Sequence, residues 1–132
     1  MADAFVPVPE WVNEDDITEV HHIKKVNREK RDLKTHYASN LTRLPVQVHK
    51  MVDKIAEIAV YKNGKYKTMD FVSAAFNMQI SPYTLNQLIR EQPSKKDGVY
   101  RVFDCSVNEK GVIRNVKFRI TYRKDLKKIL QY

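Results

Sequence analysis

Tyr83, Thr84, Asn86, Gln87 and Arg90 crowd into one short stretch, and on a helix opening at Ser81 they all turn away from an apolar stripe of Leu85, Leu88 and Ile89. These side chains suit the edges of nucleobases. Arginine pairs with guanine, asparagine and glutamine pair with adenine, and hydroxyls reach backbone oxygens. A second set, Lys110, Arg114, Lys117, Arg119 and Arg123, recurs along a strand-like run and suits phosphates.

Residue types that do covalent chemistry are arranged less purposefully. The three glycines, Gly64, Gly98 and Gly111, form no phosphate-cradling loop before a helix. His21 and His22 are adjacent, but His36 and His49 stand at no recognisable ligand spacing from them, so no metal site is expected. Ser73 and Ser106 carry no nucleophile motif, and the paired acids Asp15 and Asp16 lie where no pocket would tune them. No catalysis and no cofactor are therefore expected. Cys105 has no cysteine partner in the chain and reads as a small buried hydrophobe in a reducing compartment.

The elements that would hold the polar set can be read from punctuation. Thr68 and Asp70 suit the start of a first helix whose stripe is Phe71, Val72, Ala75 and Phe76, ending near Asn77. Ile80 plugs the turn, Ser81 caps a second helix, Pro82 occupies its first position and Pro93 stops it. Upstream, Val48, Met51, Val52, Ile55 and Ile58 predict one amphipathic helix over residues 45–61, closed by Asn63-Gly64, with residues 65–67 as a short strand. Downstream, residues 99–107 and 112–122 predict a hairpin. Pairing Val107 with Val112 across a four-residue loop puts Val99, Phe103, Cys105 and Val107 on one inner face with Val112, Val116, Phe118 and Ile120. Residues 124–132 read as a closing helix.

Helix, short strand, two helices and a hairpin make a sequence that, over residues 45–123, resembles the winged helix-turn-helix DNA-binding superfamily. The resemblance implies an α+β fold with a winged helix-turn-helix core of three helices and a C-terminal β-hairpin. Around that core are expected an extended acidic N-terminal arm, a basic linker helix and a short C-terminal helix. It also implies a helix over residues 81–92 entering a major groove while the hairpin grips flanking phosphates.

Charge sharpens the reading. The 132-residue chain carries 24 basic and 16 acidic side chains, a net +8, and its first 19 residues hold six carboxylates with no lysine or arginine. What remains is basic enough to make nucleic acid the default partner. Three segments are expected: residues 1–19, an extended acidic arm with Pro7 and Pro9; residues 20–44, a basic and partly helical linker; and residues 45–132, the core. In the arm, Phe5, Val8 and Trp11 would bind a partner or the chain's own groove, and the acidic cluster Glu14, Asp15, Asp16 would compete with nucleic acid for the basic surface.

The expected function is sequence-specific binding of double-stranded DNA, as a homodimeric transcriptional regulator or replication accessory factor. The alternative is a winged-helix adaptor or structural subunit that docks on an acidic protein, or on nucleic acid without sequence readout. RNA binding is disfavoured, because no sheet with paired exposed aromatics and no GXXG loop can be read from the sequence. No segment has the length and apolarity of a membrane span, the N-terminus lacks the features of a signal peptide, and no membrane partner is expected. A cytoplasmic, nucleoid-associated or nuclear location, without secretion, is expected.

Overall fold

A computed structural model describes residues 6–22 and 41–129, and the chain divides into two units, one up to Lys50 and one from Met51 onward. Phe5 and most of the expected basic linker lie outside the described residues.

In the first unit, β1 (Thr18–His22) pairs antiparallel with β2 (Leu41–Pro45) in the register Thr18 to Pro45 and His22 to Leu41. The segment before β1 is tied down locally. Arg43 N donates to Pro7 O at 3.2 Å, Val12 N to Pro9 O at 3.1 Å and Asp16 N to Asn13 O at 3.1 Å. Val6 and Val12 are its buried side chains, whereas Val8 is exposed and Trp11 half-buried. An arm ending at residue 19 would thus be cut inside a strand. The proline-bearing stretch supplies backbone acceptors and two buried apolar side chains, Val6 and Val12. Helix α1 (Val46–Lys54) follows β2 and carries the chain into the second unit.

That unit is a five-stranded antiparallel sheet in the order β4-β3-β7-β6-β5. Its strands are β3 (Ile55–Lys62), β4 (Lys65–Met69), β5 (Lys95–Asp97), β6 (Tyr100–Glu109) and β7 (Val112–Tyr122). Between β4 and β5 come α2 (Phe71–Asn77) and α3 (Pro82–Glu91), and α4 (Arg123–Ile129) follows β7. One face of the sheet is the core: Ile58 lies opposite Ile120, Val60 opposite Phe118, and Phe103 opposite Phe118, all buried. Phe103 and Phe118 stack with ring centroids 4.9 Å apart and planes within 8°. Phe71, Ala74 and Ala75 of α2 and Leu85, Leu88 and Ile89 of α3 are buried as well. Each large apolar side chain so buried contributes about 1.5–3 kcal/mol relative to exposure.

This architecture corrects the winged-helix expectation. A three-helix core with an appended hairpin is replaced by a sheet in which β3 lies between β4 and β7. The long helix expected to Tyr61 stops at Lys54, because Ile55, Ile58 and Val60 are β-branched and bury themselves as a strand. Asn63-Gly64 is a hairpin turn rather than a helix stop. Both residues have positive φ, 52° and 78°, the requirement of a two-residue turn matched to strand twist.

The C-terminal hairpin is also tighter than expected. Lys110 and Gly111, with φ of 52° and 83°, form a two-residue turn and Glu109 pairs with Val112. Val107 consequently faces Arg114 instead of Val112, a shift of two residues, so face assignments survive. Phe103, Val107, Val116, Phe118 and Ile120 are buried, although Val112 at the tip is exposed.

The helix pair itself forms with different details. Asp70, not Thr68, caps α2, its carboxylate accepting from Ser73 N at 2.9 Å, while Thr68 lies in β4. Phe76 is exposed. The link to α3 is a Schellman turn, with Gln79 N donating to Phe76 O and Ile80 N to Ala75 O, each at 3.0 Å, and Gln79 taking φ 62°. Ile80 is buried, and Ser81 caps α3 by accepting from Thr84 N at 3.1 Å. At the far end, Arg101 Nε donates to Asp125 Oδ2 of α4 at 3.3 Å. Among the described residues no helix is long and apolar enough to cross a membrane.

Candidate functional site

The polar set expected to face a DNA groove from α3 is largely engaged by the protein itself. Asn86 is 4% exposed, its Oδ1 buried without a hydrogen-bond partner, so it faces the interior. Thr84 Oγ1 donates to Glu109 Oε2 at 2.7 Å, and Ser81 N donates to Glu109 Oε1 at 3.3 Å. The carboxylate at the hairpin tip thus occupies the positive end of α3, where a phosphate would have sat. Tyr83 is half-buried. Gln87 and Arg90 are exposed, but Gln87 Nε2 donates to Glu91 Oε2 at 3.1 Å, and Arg90 stands at the helix's C-terminal turn.

The basic strand residues divide between two faces and two ends of the sheet. Arg119 is clasped between Tyr66 and Tyr100, its guanidinium carbon 4.2 Å and 4.0 Å from their ring centroids, with a buried Nε. It packs the face opposite the core instead of reaching outward. Lys117 lies on the same face, its Nζ 4.6 Å from the Tyr61 centroid, and Tyr61 meets Tyr66 edge-on at 5.0 Å. The same face also carries Glu57, Asp97 and Asp104, so its charge is mixed. Three tyrosines, one exposed and two half-buried, share this sheet face.

Two recesses are lined by cations. A cleft of about 540 Å³ is lined by Met51 and Lys54 of α1, Ile89 and Arg90 of α3, Tyr122 at the end of β7, and Arg123 and Lys124 of α4. Four cations meet there, and no carboxylate lines it. Lys54 and Arg90 stand in the last turns of their helices, where cations complement the negative end of the dipole. Arg123 Nε donates to Asp53 O at 2.9 Å, fixing α4 to the end of α1. Lys124 Nζ lies 5.3 Å from the Tyr122 ring centroid, and the Arg101 guanidinium lies 5.0 Å from the same ring. Burial pushes the Tyr122 hydroxyl above its ordinary range; Arg101 opposes the shift and Asp125 adds to it. Tyr122 therefore stays neutral at physiological pH and subtracts no charge from the cleft.

The second recess, of about 260 Å³, opens where β3 and β7 part. Their ladder ends at Val60 and Phe118, whereas β6 and β7 remain paired to Glu109 and Val112. Lys62, Arg114 and Lys117 are its cations, again with no carboxylate among the lining residues, beside Tyr61 and Asn77. Arg114 donates to Gln79 Oε1. Lys110 stands apart, exposed in the turn.

Arg90 and Arg123, predicted separately from the sequence, thus share one cleft, and Arg114 and Lys117 share the other recess. Lys54, Lys124, Lys62, Tyr61 and Asn77 were not singled out by sequence reasoning. Lys54 would have been found only by ending α1 at the onset of the β-branched run, well before the Asn63-Gly64 turn.

Among possible metal donors, His21 and His49 come together in the first unit despite their sequence separation. Their rings meet edge-on at 5.1 Å, and His49 Nδ1 lies 3.2 Å from Glu19 Oε1. His21 and His49 are the donors of this unit that could hold a cation. Cys105 is half-buried, and burial, then the neighbouring Asp104 carboxylate, push its thiol above the ordinary range and keep it protonated. No family model, curated protein or solved structure matches the chain.

Proposed function

We propose that the protein binds nucleic acid through its phosphates, without reading sequence. The observation that carries this is the cleft in which Lys54, Arg90, Arg123 and Lys124 converge with no carboxylate in the lining. Asp125, next to Lys124 in sequence, is paired with Arg101. The lining itself is cationic, and a polyanion entering it gains Coulomb attraction and releases counterions. Sequence readout by α3 is disfavoured, since Asn86 is buried and Thr84 and Gln87 already hold internal partners.

A salt series tests the reading. Binding to random-sequence oligonucleotides should weaken steeply with ionic strength, and the variant K54A/R90A/K124A should bind more weakly with a slope shallower by about two to three. Unchanged affinity and slope in a variant with native circular dichroism would remove the cleft from the interface. Arg123 is left in place because it also fastens α4.

A further inference from the structure

We infer that the recess between β3 and β7 takes one unpaired nucleotide, making the preferred ligand single-stranded; this rests on the nucleic-acid reading above. Three observations converge. The strands separate beyond Val60 and Phe118, leaving a gap too small for a duplex and suited to a single base with its sugar. Lys62, Arg114 and Lys117 line the gap with no opposing carboxylate and match the charge of the attached phosphate.

The third observation is chemical. Asn77 lines the recess, and its Oδ1 is buried with no donor. A buried acceptor left unmatched is costly, and a turn of the Asn77 side chain toward the recess would let a ring N–H or exocyclic amine of a base satisfy it. The Tyr61 ring, 38% exposed, also lines the recess with Lys117 Nζ over it, and a base stacks there by displacing that ammonium toward the phosphate. In a duplex these polar edges are paired and the base faces are covered by their neighbours. A nucleotide must leave the stack to enter a gap between two strands.

The test compares three oligonucleotides of equal length with the full chain: single-stranded oligo(dA), the same backbone with abasic sites throughout, and a random-sequence duplex. The inference predicts about tenfold tighter binding of oligo(dA) than of the abasic backbone, as one stacked base supplies. It further predicts that Tyr61→Leu, or Asn77→Ala as a second variant, narrows that ratio while circular dichroism stays native. The cleft variant K54A/R90A/K124A should weaken all three ligands together. Equal binding of base-bearing and abasic strands, or a preference that survives both substitutions, overturns the recess as a nucleotide site and leaves the cleft untouched. Absence of binding to every oligonucleotide overturns both.

Discussion

Thr84 donates its hydroxyl to Glu109 across 2.7 Å, fastening the turn of the C-terminal hairpin to the first turn of α3. The same carboxylate accepts from Ser81 N, so one side chain supplements the N-cap and anchors the β6–β7 tip. Glu109→Ala should therefore destabilise the protein by about 1.5–3 kcal/mol, the usual scale for hydrogen bonds to a charged group. Urea unfolding of the single variants and of Glu109→Ala with Thr84→Val should show strongly non-additive losses; additive losses would mean the two groups act separately.

Phe118 stacks on Phe103 at the centre of the buried face. Phe118→Ala should cost about 3–5 kcal/mol, the transfer term plus the cavity left behind. A loss under about 1 kcal/mol in equilibrium unfolding would show that the site refills by collapse.

Asn86 is enclosed, so Asn86→Ala should leave nucleic-acid affinity and any base preference unchanged. Binding to a panel of duplexes checks this directly. A selective loss at particular base pairs, with an intact fold, would return α3 to the role of a reading helix.

Cys105 should react slowly with iodoacetamide at neutral pH, because its raised pKa leaves less thiolate than a free thiol has. The pH–rate curve should be displaced upward from that of a model cysteine. By linkage, the thiol's contribution to stability is fully present below the ordinary thiol range and is lost as pH rises through the folded-state value. Alkylation as fast as that of a free thiol would refute the burial effect.

Much of the local structure was legible because its signals are short-range. Ser81-Pro82 marks a helix start whatever surrounds it, and the alternation through Phe103, Val116, Phe118 and Ile120 assigns a face even when the loop length is misjudged. Misreadings arose where tertiary partners decide. The spacing of Met51, Ile55 and Ile58 fits a helix, yet the last two belong to a strand that pairs with β7, where Ile58 meets Ile120, a partner no local window contains. The brief β5, Lys95–Asp97, has no apolar alternation and exists as an edge paired to β6. The cationic cleft likewise depends on tertiary placement. Arg90 and Arg123 could be nominated individually, but their convergence with Lys54 depends on where α1 stops.

The place of β3 in the sheet bears on how the chain matures. Its neighbour β4 is available within a few residues, but its other flank must await β7, so Ile58 and Val60 stay half-sheltered until the last strand emerges from synthesis. A nascent chain paused after α3 would display a sticky two-stranded ribbon. During such a pause the molecule is most open to chaperone capture or to association with its own copies.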